Sequence, residues 1–311
     1  MENQNTTGIE QNIQPVVIQQ GRAPLLIGTP AYHGMMHLDC CKTFIESAVN
    51  GVQYMMYGIG NESLITRARN TISSYFYNHK EYSKLFFLDA DIYCRGTDVL
   101  KLWNNEKDVI GAAVRLKSGQ NIMNFNDQAL PEFQKYWKEF EVKKANKLKE
   151  LEAMNLNKDS INSEMILFQN APENQWKPIM EGTLRKASWL GTAAIMYSRK
   201  AIECLVDVAK SEGRVYDGNS VMQGGDIGKE TEYYYDIYRT GLSDTARARY
   251  LETTELVKQG KLSKPECGIY LSEDFWACQT LADNGFETWV DTSIQTVHNG
   301  MLAFDSFKEG V

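Results

Sequence analysis

The order of apolar and polar positions marks out a series of alternating strands and helices. Residues 23–27 (APLLI) form a short apolar run broken by Gly28, Thr29 and Pro30, which predicts a first strand entering a loop that carries Tyr32 and His33. In 39–50, Cys40, Phe44, Ile45 and Val49 recur at helical spacing. Residues 52–57 (VQYMMY) read as a second strand, with Gly58 and Gly60 in the loop after it. Over 63–77 the pattern predicts an amphipathic helix on which Arg67 and Asn70 share a face and Arg69 points elsewhere. A continuous apolar run at 85–88 ends in Asp89, Ala90 and Asp91, a helix follows over 98–103, and 109–114 (VIGAAV) is a further buried strand. This alternation predicts a parallel sheet flanked by helices.

Beyond residue 118 the chain becomes polar up to about 185, with one clear element: a helix over 132–154 whose apolar stripe is Phe133, Trp137, Phe140, Leu148, Leu151 and Met154. The segment 119–185 is therefore expected to be a helical insertion between two halves, 21–118 and 186–311, with 1–20 a disordered, Asn- and Gln-rich tail. In the second half, 187–197 is apolar and rich in small residues, and Gly191 implies close backbone approach. Helices are expected over 198–209 and 243–259, the latter capped by Ser243 with Ala246, Tyr250, Leu251 and Leu256 packing. Tyr233, Tyr234 and Tyr235 read as either a strand or an aromatic platform, with core packing favoured for two of them. A helix from Ser272 or Glu273 runs to Asn284 and Gly285, and 288–294 is a last strand before His298.

A chain of 311 residues accommodates one large α/β domain or two smaller ones. The net charge of −7 argues against a dedicated nucleic-acid binder, although a local basic patch remains compatible with it. Six cysteines without C-x-x-C pairing suit free thiols in a reducing compartment. No stretch approaches the about 20 apolar residues of a membrane span, and the first residues lack signal-peptide character, so a soluble cytoplasmic protein is expected.

Candidate chemistry concentrates at carboxylates. Asp89 and Asp91, two apart on a strand, would point the same way, and two anionic oxygens on one side suit Mg²⁺ or Mn²⁺. The same pair also serves simply to end a strand. His33 and His37 resemble a paired-histidine metal helix, but Gly34 stands where that motif needs Glu. Glu273 and Asp274 fall at a helix N-terminus, where capping explains one carboxylate and leaves the other open to a chemical role. His298, next to Asn299 and Gly300 after a strand, is a candidate third metal ligand.

Taken in order, Gly28-Thr29-Pro30, the helix from Leu64 through Arg67 and Arg69 to Asn70, Asp89-x-Asp91, Gly191, Ser272-Glu273-Asp274 and His298-Asn299-Gly300 resemble the GT-A type of nucleotide-sugar glycosyltransferase, especially small transferases of phage and bacteria. The resemblance covers 23–118 and 186–303; 119–185 has no counterpart, and the acceptor strand keeps only Gly191-Thr192-Ala193 of the family's Gly-rich pattern. It implies a Rossmann-like mixed, mostly parallel sheet and a transferase moving a sugar from a nucleoside diphosphate (UDP or GDP) to a hydroxyl. Asp91, His298 and Asp89, the last directly or through water, would hold Mn²⁺ or Mg²⁺. Thr29, Pro30, Tyr32, Arg67, Arg69, Asp89 and Gly191 would border the donor. Asp274, seconded by Glu273, would be the general base if the reaction inverts, or would orient a substrate if it retains. The acceptor would be a glycan, a protein or a hydroxymethylated base in phage DNA. Two rivals are a sugar-phosphate nucleotidyltransferase, whose basic Gly-rich loop is missing from 28–34, and a module that binds nucleotide-sugar without turnover.

Overall fold

The computed structural model describes residues 22–118, 122–217, 231–300 and 304–305; the tail expected over 1–20 lies outside them. The first half runs β1 (Leu25–Ala31), α1 (Leu38–Val49), β2 (Tyr54–Gly60), α2 (Ile65–Asn78), β3 (Lys84–Leu88), β4 (Ile92–Cys94), α3 (Gly96–Asn104) and β5 (Val109–Ala112). The middle contributes β6 (Phe125–Asn126), α4 (Pro131–Ala153), α5 (Lys158–Asn170), β7 (Met180–Glu181) and β8 (Leu184–Ala187). The remainder comprises β9 (Trp189–Leu190), β10 (Ala194–Ser198), α6 (Arg199–Ser211), β11 (Val215–Asp217), β12 (Tyr233–Tyr235), α7 (Asp244–Lys258), α8 (Glu273–Asp283), β13 (Thr288–Asp291), β14 (Thr296–His298) and β15 (Phe304–Asp305).

Eight strands form the central sheet in the order β2-β1-β3-β10-β5-β13-β8-β7, and only β10 and β8 run against the rest. This is the mixed, mostly parallel α/β architecture expected from the resemblance; the strand–helix alternation alone predicts a parallel sheet, from which β10 and β8 depart. The middle segment supplies its last edge through β7 and β8, and β6 pairs with β9. Alternation along each strand sorts the core into two layers. Leu26, Leu85, Phe87 and Tyr197 face α2, α6 and α8 with Ile72, Ile202 and Leu281. Leu25, Ile27, Phe86 and Leu88 face α1 and α3 with Phe44, Val99 and Leu102. Each such side chain contributes roughly 1.5–3 kcal/mol by leaving water.

Several boundaries differ from the sequence expectation for identifiable reasons. Gly28, Thr29 and Pro30 continue β1, because β2 pairs along its whole length as far as Ala31 and Gly60. Pro30 is tolerated there: the ladder with β3 stops at Gly28, and the missing proline N–H faces that unpaired side. The glycines Gly58 and Gly60 are likewise strand. In α1 the buried face is Cys40, Thr43, Phe44 and Ser47, whereas Ile45 and Val49 are exposed. His33 and His37 precede α1, with His37 as its N-cap, so they share no helix. Helix α5 escapes the apolar pattern because only Met165 of it is buried. On α7 the Ser243 cap is present, but Tyr250 and Leu251 are exposed. Tyr234 and Tyr235 pack as buried strand residues. Among the described residues no helix is long and apolar enough to cross a membrane.

Gly111 lies at the middle of β5, where an added Cβ would approach the Ala194 carbonyl oxygen to 2.4 Å and Leu190 Cδ2 to 2.8 Å. Gly111→Ala is expected to destabilise the protein by about 1–3 kcal/mol, read as a lower urea midpoint with unchanged m-value.

Candidate active site

The carboxyl ends of β1 and β3 open into a cleft of about 560 Å³ whose wall includes Pro30, Tyr32, His33, Glu62, Ser63, Asp89 and Asp91. Open α/β sheets bind ligands in this position. Strand β3 ends at Leu88, and Asp89-Ala90-Asp91 is a tight turn closed by Ile92 N–H donating to the Asp89 carbonyl at 3.0 Å. The turn is pinned from both sides: Asp89 N–H donates to Ala193 O at 3.0 Å, and His37 N–H to Ala90 O at 2.8 Å. Strand alternation therefore does not govern the two carboxylates, which turn to different partners.

Asp89 faces α2. The Arg69 guanidinium donates to its two oxygens at 3.2 and 3.4 Å and also to Glu273 at the start of α8. Arg69 is only 4% exposed. Burial opposes its charge, but Asp89 and Glu273 outweigh burial and raise its pKa above the ordinary value. For Glu273 burial dominates and pushes the carboxyl up, with Arg69 opposing. Arg67, expected with Arg69 to border the donor, holds Glu62 in a fork of 2.5 and 2.7 Å. The inward position of Arg69 has a packing cause. Helix α2 is covered by the sheet on one side and by the segment at β12 on the other, where Asn70 Oδ1 accepts from Ile237 and Tyr238 N–H at 2.8 Å each. Every residue of α2 from Ala68 to Ser74 is buried, so this stretch has no single inward face and Arg69 and Asn70 are both interior.

Asp91 lines the same cleft but engages other partners. Strand β14 pairs with β4 so that His298 sits opposite Ile92, and its Nε2 lies 3.4 Å from Asp91 Oδ2. The His298 Nδ1 is 2.8 Å from the Arg115 carbonyl, which orients the ring and leaves Nε2 toward the carboxylate. Asn299 clamps the Asp91 carbonyl through its backbone N–H at 2.8 Å and its side-chain amide at 3.2 Å. Lys117 reaches Asp91 Oδ2 at 2.5 Å. Burial would raise the Asp91 pKa, yet His298 and Lys117 prevail and hold it down to about 2.

Asp274 occupies the first turn of α8. Its Oδ1 accepts from the Ser272 hydroxyl and from Phe275 N–H, the latter at 2.8 Å, while Oδ2 faces Gly191, where an added Cβ would come within 3.2 Å of it. Gly191 is held by Asn124, whose backbone oxygen accepts from Gly191 N–H at 2.7 Å. Thr29 is fully buried, with its hydroxyl unpartnered, and borders the core. Lys117, Asn124 and the Arg115 carbonyl were not legible beforehand, since their contacts are long-range or made by backbone, and Asn299, noted beside His298, had no role assigned.

Among the described residues no three His, Cys, Asp or Glu side chains converge as a ready metal cage. Asp91 and an oriented His298 nonetheless fit a divalent cation that takes the rest of its shell from substrate oxygens and water. The ammonium of Lys117 already stands on the cation side of Asp91.

Fold and site define an α/β protein with a carboxylate-lined cleft at the carboxyl ends of parallel strands. No protein-family profile matches the chain, and no curated protein matches it. Among solved structures it is similar to one described as the crystal structure of A197 from STIV, with a TM-score of 0.43 and 11% identity over 91% of this chain and 90% of that one.

Two outcomes follow from these pairs. Arg69→Met leaves Asp89 and Glu273 without their shared cation and is expected to cost about 3–5 kcal/mol in urea unfolding, largely recovered when both carboxylates are also made amides. The metal-free protein should lose stability as pH falls from about 4 through about 2, because the unfolded Asp91 carboxyl is protonated there before the folded one. Asp91 is 40% exposed, so after screening this contribution is about 1 kcal/mol, and Asp91→Asn should flatten the same window.

Proposed function

We propose that the protein is a metal-dependent glycosyltransferase of GT-A type, moving a sugar from a nucleoside diphosphate to an acceptor hydroxyl. The observation that carries this reading is the charge arrangement of the cleft. Arg67 is matched to Glu62, Arg69 to Asp89 and Glu273, and Lys117 to Asp91. A diphosphate entering beside these pairs needs further positive charge, and the Asp91–His298 pair is the side-chain set that suits a divalent cation.

Asp91 and His298 would hold Mn²⁺ or Mg²⁺, with Asp89 contributing through water. When bound, the cation supplies charge neutralisation for the departing diphosphate. Pro30 and Tyr32 border the nucleoside, and Ser63 and Ile65 bring the N-terminal end of α2 to the cleft wall, where backbone N–H groups favour phosphate oxygens. Arg69 positions both carboxylate elements without being spent on substrate. In an inverting reaction the acceptor oxygen bonds to the anomeric carbon as the bond to phosphate breaks, and its proton passes to Asp274 Oδ2. The other oxygen of Asp274, held by Ser272 and Phe275, fixes the orientation of the carboxylate.

A panel of nucleoside-diphosphate sugars with Mn²⁺, scored for nucleoside diphosphate release with and without acceptors, tests the reading directly. Consumption of a nucleoside triphosphate with pyrophosphate release would replace it with nucleotidyl transfer. Asp91→Asn should lower metal-dependent transfer by about 100-fold or more with the circular dichroism spectrum unchanged, and near-normal turnover would refute the assignment. Asp274→Asn should keep donor binding and abolish transfer; unchanged transfer would remove Asp274 from the mechanism.

A further inference from the structure

A second concavity, of about 290 Å³, lies where the start of α4 meets β9, lined by Gln128, Phe133, Gln134, Trp137, Trp189 and Ile269. Its walls are aromatic faces. Phe133 and Trp137 are near-parallel, with ring centres 6.1 Å apart, and Trp189 stacks on Phe275 at 5.3 Å. Trp189 donates its indole N–H to Gln279 Oε1 at 3.1 Å, so what it presents to the slot is ring rather than donor. The polar component is amide: Gln134 donates to the Gln128 carbonyl at 2.5 Å, which leaves its own amide oxygen as an acceptor beside the Gln128 side chain.

In a chain with 23% charged residues, none of the described residues lining this slot is charged. That narrows the ligand. A phosphate-bearing polymer requires Lys or Arg to neutralise it. A purely apolar segment would strip water from the Gln128 side chain and the Gln134 amide oxygen without replacing it. A saccharide ring carries C–H groups on one face, which suit the negative face of an aromatic ring, and hydroxyls at its rim, which suit amides. Trp189 links the slot to the candidate base: it precedes Gly191 by two positions, Gly191 faces Asp274 Oδ2, and the ring stacked on Trp189 belongs to Phe275, the next residue after Asp274.

We propose that this slot is an acceptor subsite taking a neutral saccharide ring, stacked on the exposed Trp137 with Gln128 and Gln134 on its hydroxyls and the buried Trp189 as its floor. Its role as acceptor subsite rests on the transferase reading above; its ligand class does not. The acceptor is thereby a neutral glycan rather than a DNA base.

The test uses the full chain without nucleotide or metal, titrated with neutral di- and trisaccharides of gluco, galacto, manno and N-acetylhexosamine configuration, followed by tryptophan fluorescence and saturation-transfer NMR. Saturable binding of at least one saccharide is expected, weakened about tenfold or more by Trp137→Ala, with Mn²⁺-dependent binding of nucleoside diphosphate in the main cleft unchanged. Trp137 is 45% exposed, so its truncation leaves the core intact, and Ile269→Glu at a 60% exposed rim position provides a second variant that should also weaken binding. The proposal is overturned if no saccharide in the panel binds, if binding survives both substitutions, or if a single-stranded oligonucleotide or an apolar peptide protects Trp137 instead. Saccharide binding without consumption of any nucleotide-sugar would sink the transferase reading and keep the slot's ligand class; transfer without saccharide binding would do the reverse.

Discussion

One buried guanidinium ties the site together. Arg69 reaches Asp89 at the end of β3 and Glu273 at the start of α8, residues far apart in the chain, from a helix that lies between them. Removing an ion from water costs several kcal/mol, and only well-placed counter-charges offset it. The three elements are therefore positioned relative to one another by the need to keep this charge paired, in addition to the apolar packing of the core. Asp274 takes its position from this arrangement, being the neighbour of Glu273 on the same helical turn.

The cleft is divided by the Asp89-Ala90-Asp91 turn into two electrostatic neighbourhoods. On one side the guanidinium is locked by burial. On the other, Asp91 meets an ammonium on a flexible stem and an imidazole oriented by a backbone carbonyl. The first neighbourhood is suited to holding geometry and the second to exchanging partners, since an exposed ammonium yields to a competing cation more readily than a buried fork does.

Much of the sheet was legible because strands buried on both faces are written as unbroken apolar runs, as at 85–88 and 109–112. Direction was not: nothing in the composition of β10 tells that it enters antiparallel between β3 and β5. The glycines closing β2 read as loop because glycine weakens a strand interior, yet β1 pairs them to the end. The residues Asp89, Asp91, Glu273, Asp274, Gly191 and His298 were all visible as chemistry-bearing positions. Who faces whom was hidden, because the reading of Arg67 and Arg69 presumed a helix with one inner face, and because alternation stops where β3 stops. Pairings such as Arg69 with Glu273 depend on tertiary closure that local periodicity does not encode.

The antiparallel insertion of β10 also governs how the molecule is made. Leu88 finds its partner Ala194 only after α4 and α5 have been synthesised, and β5 waits for that same strand and then for β13. A ribosome that has delivered the first half thus exposes an unsatisfied ladder along Leu85 and Phe87, hydrophobic and open to wrong pairing. Contacts of such long sequence separation close slowly. Until β10 is made, that apolar edge has no ladder partner from its own chain, the condition under which strands pair wrongly.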